Sequence, residues 1–191
     1  MDVGTLKQAE VFAFLAALFL IAVVLTEKQR LENPPIIILS EENKAFRFQS
    51  GSAEVPSAFV LALRDRIVPE IDRLSRKYQC DSIEIIGHTD SVPVKKNLST
   101  MDAVSDSLSG AMPGSNVDLG MMRAISVMRL FKEAKTTGRL SMIKYIIPYS
   151  GGQLILPNRA LSWGFERNGN NARRRIEVRL LRSTQTHHID F

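Results

Sequence analysis

The chain has 191 residues, 45% hydrophobic and 24% charged, with a formal net charge of +5. That is enough for one well-buried core with a tail, and the basic balance admits nucleic acid, an anionic membrane or an anionic wall as partner. No basic run carries the interleaved aromatics that single-strand binding needs, which sets nucleic acid aside, and a single cysteine, Cys80, excludes an intramolecular disulfide.

Val11 to Leu25, VFAFLAALFLIAVVL, is apolar without a break. As a helix it runs about 22 Å, short of the roughly 30 Å hydrocarbon slab. Borrowing Leu6 to Glu10 completes a span, with Lys7 snorkelling to the head groups. A cleaved signal peptide would need a small-residue cleavage site, and Leu25-Thr26-Glu27 offers none. A buried core helix fits by length, but a run that is apolar on every side suits lipid better. The expectation is therefore a short cytoplasmic tail and one transmembrane helix over residues 1–28. Lys7 before the span and Lys28 and Arg30 after it leave the charge count roughly even, so charge does not orient it.

Glu10 is the ionisable group at this span, and such groups are functional candidates by default. Ala13 and Ala17 share its helix face, where small residues let another helix approach. A homodimer through that face is expected.

A linker is expected over 29–43, broken by Asn33-Pro34-Pro35, with Ile36 to Leu39 as a short strand or a seam with the core. Lys44 to Gln49 alternates like an edge strand, and Gly51-Ser52 turns it. Ser57 is the expected cap of a helix to Gln79, with Phe59, Leu63, Ile67, Ile71, Leu74 and Tyr78 as its apolar stripe and Pro69 as a kink. Ile83 to Ile86 reads as the central buried strand. It stops at Gly87 and turns out into the polar tip His88-Thr89-Asp90. Residues 91–115 form a long serine-, glycine- and proline-containing insertion to which the sequence gives no role.

A second helix follows, capped by Asn116 or Asp118, running from Leu119 to Lys135 and ended by Thr136-Thr137-Gly138. Tyr145 to Tyr149 is a strand despite Pro148. Residues 151–169 are loop-like, with Trp163 and Phe165 expected in a satellite cluster. Arg175 to Leu181 alternates as the last strand, and 183–191 is a mobile tail. His187-His188 is too little for a metal site, and no Cys/His spacing suggests zinc. No nucleophile stands with a base, so neither an enzyme nor a cofactor is expected.

A strand tip carrying Asp90 and the start of a helix carrying Arg123 can face one another. Such a pair holds a small zwitterion, the arginine fork taking a carboxylate and the aspartate an ammonium. The residues around it, GHTD (87–90), N-x-x-L-x-x-x-R-A (116–124), RRIEV (174–178) and FRFQSGSAEV (46–55), resemble the OmpA C-terminal/MotB-like peptidoglycan-binding family over residues 44–182. The resemblance implies an α/β (α+β) fold: a single N-terminal transmembrane helix followed by a βαβαβ domain with a mixed sheet. It also implies non-catalytic binding of peptidoglycan, with Asp90 and Arg123 gripping diaminopimelate and Asn116 and Leu119 lining the pocket. Arg173 stands where the family has asparagine, which either removes one pocket contact or makes the pocket more basic.

The segment EVFAFLAALFLI (10–21) looks like the MotB span, with glutamate where the family usually has aspartate. This implies a stator subunit of the inner membrane with its C-terminal domain in the periplasm. Glu10 would then couple ion flow through a MotA-like multi-span ring partner. The long insertion, GSNVDLGMMRA (114–124) and the short linker resemble the MotB-like subunit of the Zorya anti-phage system. The alternative is a passive membrane-to-wall tether in which Glu10 has no ion-coupling role.

Overall fold

Four strands form one mixed sheet in the computed structural model, which describes residues 3–31, 33–94, 98–101, 108, 110–162 and 168–183. The side chains of 3–7, 9 and 29–31 fall outside that description. Trp163, Phe165, His187, His188 and the tail from 184 onward also lie outside it. The chain divides into two units, Met1–Asn33 and Pro34–Phe191.

The first unit is helix α1, Val3–Leu31. Within it Glu10–Lys28 is long and apolar enough to cross a membrane, and none of that stretch is buried. The helix does take in Leu6 to Glu10. At 29 residues it is about 43 Å long, more than a bilayer core requires. Thr26 satisfies its hydroxyl inside the helix by donating to the Ala22 carbonyl at 2.7 Å, the arrangement a polar group needs in lipid.

The second unit begins with β1, Ile37–Ser40. The helical segment α2, Ser57–Ala62, runs through a wide π-type turn, Leu63–Ile67, into α3, Val68–Tyr78. Then come β2, Ser82–His88, helix α4, Asn116–Thr136, β3, Tyr145–Gly152, and β4, Arg175–Leu181. The strand order is β1-β4-β2-β3. β2 runs parallel to β3, and β4 lies antiparallel to both β1 and β2.

The alternation along β4 explains the layering. Ile176, Val178 and Leu180 join Ile83, Ile85 and Leu39 on one face, where they bury against Phe59, Leu63, Ile71 and Leu74 of the first helical run and Val127 and Phe131 of α4. Burial of each such side chain contributes about 1.5–3 kcal/mol. Arg175, Glu177 and Arg179 point to the opposite face, as a period of two demands.

Several expectations are revised. The short strand expected over Ile36 to Leu39 is present as Ile37–Ser40, inside the stretch read as linker, and pairs with β4 from Ile37↔Val178 to Ser40↔Arg175. The expected strand over Lys44–Gln49 is instead a single 3-10 turn, Lys44–Phe46, followed by extended chain. The edge beside β4 is already held by β1. Phe46 and Phe48 instead both stack edge-on against Phe59, with ring centroids 5.2 Å away in each case. Ser57 does not cap; it is the first helical residue, with Pro56 before it. The run is divided into α2 and α3 close to Pro69, which is the second residue of α3. The wide turn just before it absorbs the carbonyl that its ring would strike. The cap of α4 is Ser115, one residue earlier than expected: its hydroxyl accepts from the Asp118 amide, while the Asp118 carboxylate accepts from the Gly114 amide.

Candidate ligand-binding site

Two glycines set the site. A Cβ on Gly87 would fall 2.0 Å from the Gly120 carbonyl oxygen, and one on Gly120 would fall 2.7 Å from the Gly87 oxygen. The end of β2 and the second turn of α4 therefore touch backbone to backbone, which no residue with a side chain permits. That contact brings the strand tip beside the helix start. Thr89 ties the tip down further, its amide donating to the Gly152 carbonyl at 2.9 Å.

Beside this contact lies a cleft of about 1050 Å³, at the upper end of the range for small-ligand pockets. Asp90, Asn116, Leu119 and Arg123 all line it. The motifs singled out in the sequence therefore converge on one cavity.

Their states differ. Arg123 is only 2% exposed and is largely committed. Its Nε donates to the Ser52 carbonyl at 3.0 Å and its Nη2 to the Gln49 carbonyl at 3.3 Å. Its Nη1 lies 3.6 Å from Glu41 Oε1, and the guanidinium sits 4.7 Å from the centre of the Phe48 ring. Burial pulls its pKa down to about 10, with Glu41 opposing that shift and Arg174 adding to it. Arg123 thus holds the FRFQSGS segment against α4 and lends positive potential from behind the wall.

Arg174 is the more accessible cation, its side chain 23% exposed at the cleft. Nε donates to Glu41 Oε2 at 2.7 Å, Nη1 to Asp90 Oδ2 at 2.5 Å, and Nη2 to Asn171 Oδ1. Burial works against its charge, but the hydrogen bonds to Glu41 and Asp90 outweigh that and raise its pKa above the ordinary arginine value. Glu41, 2% exposed, is the buried carboxylate between the two arginines. Asp90 also accepts from the Asn170 amide at 3.2 Å and from the Val92 amide at 3.3 Å. A carboxylate has about four acceptor directions, so one remains for a ligand. Asn116 turns its amide to the Val92 carbonyl at 3.0 Å, and so holds the start of the insertion.

Arg173 does not line the cleft. Its Nη2 donates to the Gln153 carbonyl at 2.6 Å, so it does not make the pocket more basic. His88 is fully buried behind the tip, and its Nε2 lies 3.3 Å from Glu177 Oε1 without an aligned hydrogen bond among the described residues. The His88 ring, against burial and with help from Arg179 and Arg175, holds the Glu177 carboxyl far below the usual carboxylate range. His88 therefore supports the strand end and does not reach the cleft. Sequence reasoning missed Glu41 altogether and recorded Arg174 only as part of a motif. The one available signal for Glu41 was its place immediately after the apolar IIILS run.

Among the described residues no His, Cys, Asp and Glu group is arranged to hold a metal.

No family model matches the chain, and no curated protein matches it. Among solved structures, one of the periplasmic domain of Helicobacter pylori MotB aligns at 18% identity with a TM-score of 0.50, covering 80% of this chain and 76% of that one. A second structure of the same domain gives 17% identity and 0.48, covering 80% and 84%. A putative MotB-like protein from Desulfovibrio vulgaris gives 19% and 0.45, covering 77% and 74%. The fold resembles that of the Helicobacter pylori MotB periplasmic domain. In this fold the cleft sits where β2, an interior strand of the mixed sheet, ends and α4 begins.

Proposed function

We propose that the chain is a MotB-like stator subunit: a single-pass inner-membrane protein whose OmpA-like domain fastens to peptidoglycan in the periplasm. The observation that carries the reading is the convergence of Asp90, Asn116, Leu119 and Arg123 on one cleft in this fold. Asp90 takes the ammonium of the wall peptide's diaminopimelate. Its carboxylate meets the positive potential of Arg174 in front and Arg123 behind, with the N-terminal amides of α4 adding to it.

Glu10 is the ion-coupling residue of this reading. It stands exposed on α1 with Ala13 and Ala17 on its face, where a second copy of the helix and a MotA-like ring would pack. The likeness to the Zorya subunit extends the reading to anti-phage defence. Loss of protection against phage on deleting the chain from its host tests that setting.

Sedimentation of the full chain, in detergent, with purified peptidoglycan is the direct experiment. Wild type should co-sediment, and Asp90→Ala should stay in the supernatant while keeping the wild-type circular dichroism spectrum. Wild type left in the supernatant would sink the reading. Glu10→Gln separates a motor from a passive tether. The motor loses cellular function with normal assembly, whereas the tether is unaffected.

A further inference from the structure

The end of the domain opposite the cleft carries a surface that wall binding does not use. α3 leads into β2 there, α4 leads into β3, and β4 finishes there, because it lies antiparallel to β2. Register sets the level. Ser82 pairs with Tyr145 on one side and Leu181 on the other, whereas His88 pairs with Gly152 and Arg175 at the cleft end.

Basic residues gather on and beside these connections. Arg76, Lys77, Lys132, Lys135, Arg139 and Lys144 are exposed, against the carboxylates Asp72, Asp81 and Glu133. Asp72 is paired with Arg76 at 3.0 Å and Asp81 with Lys144 at 3.1 Å. Lys135 and Arg139 donate to backbone carbonyls, those of Lys144 and Arg64, and these contacts cancel neither charge. On the same rim Tyr145 is 54% exposed and Leu181 36%, while Ile83 and Leu180 beside them are buried. A tyrosine and a leucine rimmed by cations have the chemistry of a surface that rests on lipid head groups. The cations meet phosphates, and the tyrosine ring sits at the boundary between water and hydrocarbon.

The path of the chain brings that partner within reach. β1 runs toward the cleft end, since Ile37 pairs with Val178 and Ser40 with Arg175. The chain that precedes Ile37 therefore arrives from the basic end. Residues 32–36 join it to the last residue of α1, and at full extension they reach about 20 Å.

We propose that this end of the domain docks on anionic phospholipid head groups of the membrane that α1 crosses. Lys132, Lys135, Arg139 and Lys144 take the phosphates, and Tyr145 and Leu181 enter the head-group boundary. The inference rests on the single-span reading of α1. The cleft lies at the other end of the seven-residue β2, about 20 Å away, and so faces away from the lipid in the docked domain.

The test uses the full chain with a fluorophore on Thr136→Cys, at the exposed end of α4, reconstituted into vesicles that contain a nitroxide head-group lipid. Cys80 is buried and escapes the label. Quenching should be about three-fold stronger in vesicles with about one third phosphatidylglycerol than in pure phosphatidylcholine, and high salt should remove the difference. Lys132→Glu/Lys135→Glu should bring the signal down to that of neutral vesicles, and Lys132→Arg/Lys135→Arg should keep it. Tyr145→Ser should lower it about two-fold. Equal quenching in the two kinds of vesicle, or a signal unmoved by the glutamate variant, overturns the docking. Quenching that follows protein density instead of phosphatidylglycerol content gives the surface to a second copy of the chain and also overturns it. Chain that does not float with the vesicles overturns the single-span reading, and the docking with it.

Discussion

Arg174 and Asp90 are hydrogen-bonded at 2.5 Å across the mouth of the cleft, and Arg174 is held from behind by Glu41 at 2.7 Å. One guanidinium thus spans two carboxylates that belong to different parts of the chain. Because Arg174 is partly exposed and Arg123 is not, Arg174→Ala should reduce peptidoglycan binding about ten-fold or more, read by co-sedimentation, with the fold retained. Arg174→Lys should recover only part of that, since an ammonium is a point charge and cannot span both carboxylates.

Arg123→Ala is expected to act mainly on stability. It removes donors from two backbone carbonyls and strips Glu41 of a neighbouring charge inside the protein. Breaking a buried charge arrangement from one side costs about 3 kcal/mol. Urea unfolding should show the loss, and a variant as stable as wild type would contradict the assignment.

Gly120→Ala should disturb the site without touching a charge. The new Cβ would lie 2.5 Å from Ser150 Oγ and 2.7 Å from the Gly87 oxygen. Overpacking of this kind costs about 1–3 kcal/mol, and relief requires β2 and α4 to separate. Peptide affinity should fall with stability, whereas Gly138→Ala, at a positive-φ position with open space around it, should lower stability alone.

Asp81 gives the pH dependence. Burial raises its pKa, but hydrogen bonds from the Ser183 hydroxyl and amide and from Lys144 overcome that and bring it from 3.8 to about 2. The folded value lies below the unfolded one, so the stabilisation is present above about pH 4 and disappears as pH falls through 2. After allowance for solvent screening this is worth about 1 kcal/mol. Asp81→Asn should lower the urea midpoint at pH 7, and the gap to wild type should close as pH approaches 2.

The parts of the fold that were legible in the sequence are those fixed by local pattern. Ile83 to Ile86 reads as a buried strand because three of its four residues are isoleucine, and Arg175 to Leu181 reads as a strand because it alternates. The four cleft residues came from the family resemblance of two motifs, and the close approach of Gly87 to Gly120 brings those motifs together. What failed depends on partners distant in sequence. Lys44 to Gln49 has strand-like alternation, but a turn that sends Phe46 and Phe48 to Phe59 satisfies the same pattern. Glu41 looks like a linker carboxylate until Arg174, 133 residues later, arrives beside it. The insertion carried no legible role because its apolar residues are scattered singly, and Val94, Leu108 and Ala111 gather only once Ala53, Leu119 and Met122 stand behind them.

The pairing of β1 with β4 has a mechanical side. A load carried by α1 enters the domain at Ile37, opposite Val178, while a ligand seated on Arg174 resists next to Ser40 and Glu41, at the other end of the same strand pair. Tension between those two points runs along the strands and loads their register pairs together in shear, instead of peeling them one after another. The ladder that would resist such a pull is the one that also positions Arg174.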